Sequence, residues 1–168
     1  KAGVYLVARF SPAFADAPPW RPVVLSAGLA SMLLGGYRAL RQHDIKLVLA
    51  YGTISQLGLM MVLFGAGTPE TTFAGCTLLI AHGIFKASLF MLVGVVDHQT
   101  HTRDLRHLDG LGRRWPVVAA TAAVVAASMA GLPPLLGFIA KEEALATLGD
   151  VTFAWGTWIL VGVVAGSA

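Results

Sequence analysis

His82 and Lys86 stand four residues apart in the stretch AHGIFKASLF, inside an apolar run over 73–96 that holds no acidic residue. Cys76 is the only other ionisable side chain in that run. On a helix this spacing stacks imidazole and ammonium on one face, one turn apart. Leu78, Leu79, Leu89 and Val93 fall on or near the same face. A lysine at the middle of a membrane helix costs about 2.5–3.5 kcal/mol on insertion scales. A side chain that costly is expected against protein or water, not lipid. Desolvation eases the discharge of an ammonium, and a histidine titrates near neutral pH unaided. The pair therefore has the makings of a two-step proton relay. Other readings stay open. Lys86 could bond backbone carbonyls or a carboxylate outside this stretch. His82 could be a satisfied packing histidine or a haem ligand, although no other apolar run offers a second histidine.

A second constellation lies further on. SMAGLPPLLGF places Pro133 and Pro134 in the middle of an apolar run over 116–148, between Gly131 and Gly137. Each proline removes an amide donor, and its ring crowds the carbonyl four residues back, at Met129 or Ala130. In lipid such freed carbonyls are tolerated only where protein or a water-filled cavity satisfies them. Discontinuous helices of this kind line transport sites; a kinked helix sealed by its neighbours is the other reading. As one continuous helix, residues 116–148 would measure roughly 50 Å, too long for an upright span. If the helix resumes after a break, Lys141, Glu142 and Glu143 begin within the membrane zone. If it does not, they are interfacial and Lys141 snorkels. Ser55 and Gln56, near the centre of a run over 47–66, line a wet path or bond between helices.

The remaining candidates are weak. HQTH spaces His98 and His101 three apart, with His107 beyond, but no carboxylate or cysteine geometry supports a metal site there. No nucleophile elbow, phosphate loop or zinc motif occurs, and GLGRR is too short a glycine signal to carry meaning. No cofactor and no metal are expected.

The elements that must position these residues are membrane helices. The chain is 56% hydrophobic and 12% charged, with a mean hydropathy of +0.71; ordinary soluble domains are about 25% charged. Spans need about 20 apolar residues, and runs occur over 2–8, 23–40, 47–66, 73–96, 116–148 (broken) and 151–168. The fold class expected is all-α: a polytopic transmembrane bundle with one proline-broken helix, the whole chain belonging to a single domain. The tight connections RQHDIK and GTPETT make the second to fourth runs antiparallel neighbours. The net charge of +3 reflects basic residues clustered between apolar runs, which reads as an orientation signal and not as nucleic-acid binding. The stretches around Arg38, Arg41 and Lys46 and around Arg103, Arg106, Arg113 and Arg114 share one face, expected to be cytoplasmic; Arg9 and Arg21 lie opposite. The first residue is Lys1, not Met, with an apolar run starting at Ala2, and the last run, 151–168, stops without a polar flank. A piece of a longer membrane protein is expected.

Four stretches together resemble one family. KAGVYLVAR, DIKLVLAYGTISQLGLM, AHGIFKASLFMLVGVVDHQTHTRDL and MAGLPPLLGFIAKE are similar to the proton-translocating antiporter module shared by Mrp-type sodium/proton antiporters and respiratory complex I. The resemblance covers the chain to about residue 150. The long loop GVVDHQTHTRDLRHLDGLGRRWP is most similar to the large A subunit of the Mrp antiporters. Complex I subunits typically carry an asparagine before the glycine-phenylalanine of the broken helix, where Leu136 stands here.

The resemblance implies an inverted-repeat antiporter fold, of which this is part. It implies that Lys86 is the central lysine of a half-channel, His82 the histidine one turn before it, and Lys141 the lysine after the break, leading to the outer half of the path. It implies that Asp44 and Lys46 are charged groups at the cytoplasmic mouth. Gly52 replaces a serine usual in this motif, which weakens a polar role there. The implied function is that of one subunit within a multisubunit monovalent cation/proton antiporter, with other membrane subunits, protons, sodium and the lipid bilayer as partners. The implied setting is a bacterial plasma membrane, crossed several times. The alternative is a proton-pumping, non-redox subunit of complex I or of a membrane hydrogenase. Either way the chain is a transporter part.

Overall fold

The computed structural model describes residues 1–149 and 161–164. The described residues up to Gly149 form, in order, α1 (Ala2–Phe14), α2 (Trp20–Leu40), α3 (Ile45–Ala66), α4 (Pro69–Thr100), α5 (Leu111–Arg114), α6 (Pro116–Ala130) and α7 (Leu136–Gly149), with a 3-10 turn at Leu105–His107; 161–164 are helical as well. No strand occurs among the described residues. α2, α3 and α4 are each long and apolar enough to cross a membrane.

Local chemistry sets the ends. Asp44 caps α3 by accepting the amides of Lys46 at 2.8 Å and Leu47 at 3.2 Å, two of the donors a helix start leaves without partners. α3 stops at Gly67, whose φ of 74° is cheap only for glycine. Thr68 then starts α4 through a reciprocal capping box with Thr71, with Pro69 in the first turn, where its missing amide costs nothing.

α2, α3 and α4 run antiparallel, and α2 packs on α3 backbone to backbone. A Cβ added to Gly58 would stand 2.6 Å from the Gly28 carbonyl oxygen, and one on Gly35 would stand 2.6 Å from the Ser55 amide nitrogen. Small residues at such a seam let two membrane helices approach closely, which is the main source of their attraction in lipid. α1 joins through Ser11, whose hydroxyl donates to the Phe64 carbonyl at 2.7 Å. The core holds Met32, Leu59, Leu63, Phe64, Leu78 and Phe85, with Ala140, Ala144 and Leu148 of α7 closing it.

The helices run past the apolar runs. The run at 2–8 continues as helix through Arg9 to Phe14, and α4 takes in PETT before residue 73 and DHQT after residue 96. The capping box and Pro69 recruit the polar turn at one end; His101, at φ 53°, stops the helix at the other. At 32 residues, α4 is about 48 Å long, so it stands out of a hydrocarbon core of about 30 Å. The connection expected over 97–115 therefore contains the last turn of α4, a 3-10 turn and α5. Of the run at 151–168, only 161–164 lie within the described residues, where Val163 is buried.

The two basic connections meet at one end of the bundle. The Ile45 amide donates to the Arg103 carbonyl at 3.0 Å and the Leu105 amide to the His43 carbonyl at 2.9 Å. The Arg103 guanidinium lies 3.8 Å from both Asp44 and Asp97, bracing the ends of α3 and α4 against each other.

Candidate functional site

Lys86, near the middle of α4, is 5% exposed. Its ammonium crosses to α3 and donates to the Leu49 carbonyl at 2.9 Å. The Thr53 hydroxyl donates to the same oxygen at 2.8 Å. No carboxylate forms an ion pair with Lys86 among the described residues. Gly52 faces the ammonium: a Cβ there would stand 3.1 Å from Nζ. The cost of a buried cation is thus met by a main-chain acceptor on the neighbouring helix.

His82, one turn earlier, is 0% exposed. Its ring meets Phe85 edge to face at 5.4 Å between centroids. Neither ring nitrogen has a hydrogen-bond partner among the described residues. Most buried side-chain polar atoms in proteins are satisfied, which sets this imidazole, able to accept at one nitrogen and donate at the other, apart from the rest of the core. The charges of Lys1 and Lys86 both act on His82. Lys1, which its sequence position marks only as the start of the chain, brings its ammonium to 3.3 Å from where a Cβ of Gly83 would stand. The signal that could have found it is its cationic end in the KAGVYLVAR motif.

The double proline interrupts the helix. α6 ends at Ala130, Gly131 takes φ 85°, and α7 begins at Leu136. The amide that would have bonded the Ala130 carbonyl belongs to residue 134, a proline. Lys141 supplies a replacement, its ammonium donating to that carbonyl at 3.2 Å. Gly131 leaves room, since a Cβ would stand 2.9 Å from Lys141 Cδ. Gly137 lets the start of α7 press on α6, where a Cβ would overlap the Ser128 carbonyl; its amide donates to the Ser128 hydroxyl at 3.3 Å. Beside Lys141 opens a cavity of about 530 Å³ lined by Gly131, Phe138, Leu145 and Ala146.

The other expected residues scatter. Ser55 is buried at 6% exposure, against the α2 seam at Gly35. Gln56 keeps its Oε1 buried without a partner among the described residues. Asp44 lies between the ends of α3 and α4, in a cavity of about 580 Å³ also lined by Arg41, His43, Asp97, Arg103 and Asp104. The ion-pair partner of Asp44 there is Arg103, which reads in the sequence only as an orientation charge; the Lys46 side chain is exposed. Hydrogen bonds from the Arg106 side chain and amide hold the Asp104 carboxyl well below the usual carboxylate range. No group of three or more His, Cys, Asp or Glu able to hold a metal occurs among the described residues.

Apolar helices packed through glycine seams, with lysines and a histidine inside, define a polytopic membrane protein with ionisable groups in its interior. Residues 1–167 match the family described as NADH:quinone oxidoreductase/Mrp antiporter, TM, and the chain belongs to that family. It is 48% identical over 142 residues to the probable K(+)/H(+) antiporter A/B subunit of Rhizobium meliloti, covering 84% of this chain and 14% of that protein. It is 44% identical over 156 residues to the Na(+)/H(+) antiporter A subunit of Alkalihalophilus pseudofirmus, covering 84% and 19%. A chain in the structure of the Mrp complex from Dietzia sp. superposes with a TM-score of 0.93 at 45% identity, over 99% of this chain and 19% of that one. The resemblance to the large A subunit of Mrp antiporters is borne out. The chain spans a fifth or less of the length of these relatives.

Proposed function

We propose that this chain forms the Lys86 half-channel of an A-type subunit in a multisubunit monovalent cation/proton antiporter of a bacterial plasma membrane. Residues 1–168 belong to one antiporter-like transmembrane domain, and other membrane subunits complete it. The observation that carries the reading is the pairing at α4. A buried ammonium rests on a neutral carbonyl, one turn from a buried imidazole neither of whose nitrogens has a partner among the described residues. A carbonyl oxygen is too weak a base to take the proton, so the ammonium keeps it until water or imidazole arrives. The names of the relatives, with K(+) in one and Na(+) in the other, favour an antiporter over complex I.

Lys141, held at the helix break, is the next station toward the outer side, and Ser55 and Gln56 flank the route. The mouth around Asp44, with Lys46 beside it, is the cytoplasmic end. The test is the full complex in everted membrane vesicles carrying a respiration-driven pH gradient, with sodium or potassium chloride then added. Dissipation of the gradient by either ion is expected. A complex that dissipates it with neither ion refutes the assignment.

A further inference from the structure

A second apolar cluster lies between the Lys86 ammonium and the mouth around Asp44. Leu49 of α3 and Leu89 and Val93 of α4 are buried in it, and Ile45 of α3 with Val125 and Met129 of α6 pack against them. It shares only Val125 and Met129 with the main core. The helices fix its place. Leu89 and Val93 are one and two turns beyond Lys86, and Asp97, one turn further, lines the mouth. On α3, Ile45 follows the cap Asp44, and Leu49 carries the carbonyl that Lys86 reaches at 2.9 Å. Asp97 is eleven residues from Lys86, about 16 Å along the helix axis. No ionisable side chain stands between them on α4. A proton moves along donors and acceptors; aliphatic side chains offer none, and a thioether only a weak acceptor. Spaces lined by such side chains stay dry.

We propose that this collar is a dry gate on the Asp44 side of Lys86: closed, it isolates the ammonium from the mouth; wetted, it admits the water that carries protons between them. This rests on the reading of Lys86 as the proton carrier. Apolar constrictions gate in this way, by losing and gaining water. A carrier open to both sides at once leaks protons without moving a cation, so an antiporter needs a barrier on each side of it. The collar supplies one of the two. Its movable wall is α6. Met129 is unbranched and repacks readily, and it stands two residues before Gly131, whose φ of 85° marks the break. The walls contributed by α3 and α4 are braced at their ends by Arg103, between Asp44 and Asp97.

The test uses the full complex in everted vesicles carrying a respiration-driven pH gradient, followed first without and then with added sodium or potassium chloride. Subunit content is measured by immunoblot. Leu89→Asn keeps the branched shape of leucine and places an amide in the collar. Decay of the gradient before any cation is added is expected to rise about two- to tenfold, the weight of one hydrogen bond offered to entering water. Leu89→Met, still apolar, keeps the vesicles as tight as wild type. Val93→Thr exchanges a methyl for a hydroxyl and leaks in the same sense; it decides the outcome where Leu89→Asn lowers subunit content. Adding Lys86→Met to the leaking variant returns the decay to the wild-type rate, because the leak runs through the carrier. Wild-type tightness in Leu89→Asn and Val93→Thr overturns the gate, as does a leak that survives Lys86→Met or one that Leu89→Met shares. Lys86→Met alone is run alongside. If it exchanges normally, the carrier reading fails and the gate with it; if it is inactive while Leu89→Asn and Val93→Thr stay tight, only the gate fails.

Discussion

Replacing Lys86 with methionine separates its chemistry from its packing. The side chain is 5% exposed and makes one hydrogen bond, to Leu49. A lysine at mid-membrane costs about 2.5–3.5 kcal/mol, and a hydrogen bond from a charged donor returns about 1.5–3 kcal/mol. The two nearly cancel. Methionine keeps the length of the side chain and fills the same space. The Leu49 carbonyl is not orphaned, because Thr53 still donates to it. Lys86→Met should therefore leave folding and assembly within about 1 kcal/mol of wild type. Exchange should fall by about 100-fold or more, the scale on which a positioned proton-transfer group acts. Lys86→Arg should be nearly as poor, because a guanidinium keeps its proton at any accessible pH. The assay is dissipation of the pH gradient in everted vesicles after cation addition, with subunit content measured on the same membranes. Two results refute the reasoning: Lys86→Arg exchanging like wild type, which makes charge alone sufficient, or Lys86→Met losing the subunit, which makes the lysine structural.

Other outcomes follow from the same geometry. His82→Ala should slow exchange less than Lys86→Met in the same vesicles, since water can occupy the space of a relay imidazole. Lys141→Ala should lower exchange with subunit content retained, because one of its bonds goes to the freed Ala130 carbonyl beside a cavity of about 530 Å³; equal loss of both would assign Lys141 to holding the break. Gly58→Leu forces side-chain atoms onto the Met32 amide and the Gly28 carbonyl. An overpacked seam costs about 1–3 kcal/mol, so the blotted subunit should fall before any change in exchange per subunit. Gln99→Cys, exposed at the end of α4 beside the basic connection, should escape an impermeant thiol reagent in intact cells; labelling from outside would invert the orientation. The Asp104–Arg106 contact contributes order at every pH above the normal carboxylate range and loses it only as acid reaches the depressed titration of Asp104. The protection factor of the Arg106 amide, its exchange rate relative to an unstructured amide at the same pH, should therefore hold as pH falls through about 4.

The sequence alone determined where the helices had to lie and which side chains were costly. Apolar runs between caps and basic connections mark spans because lipid admits few alternatives, and a lysine and a histidine at helical spacing share a face whatever surrounds them. The proline pair even located the carbonyls that would lose their donors, at Met129 and Ala130. What packs against what was not legible. That Lys86 lands on Leu49, thirty-seven residues away, depends on how far α3 and α4 approach. The replacement donor for Ala130 comes from eleven residues further on, across a break whose angle no local pattern sets. Arg103 reads as one more orientation charge until two connections fold against each other and it meets Asp44 and Asp97. Period and composition report the solvent a residue must face, because burial is repeated along a helix. A hydrogen bond between helices is a single event, decided by seams of glycine and the register they allow, and only the tertiary structure contains it.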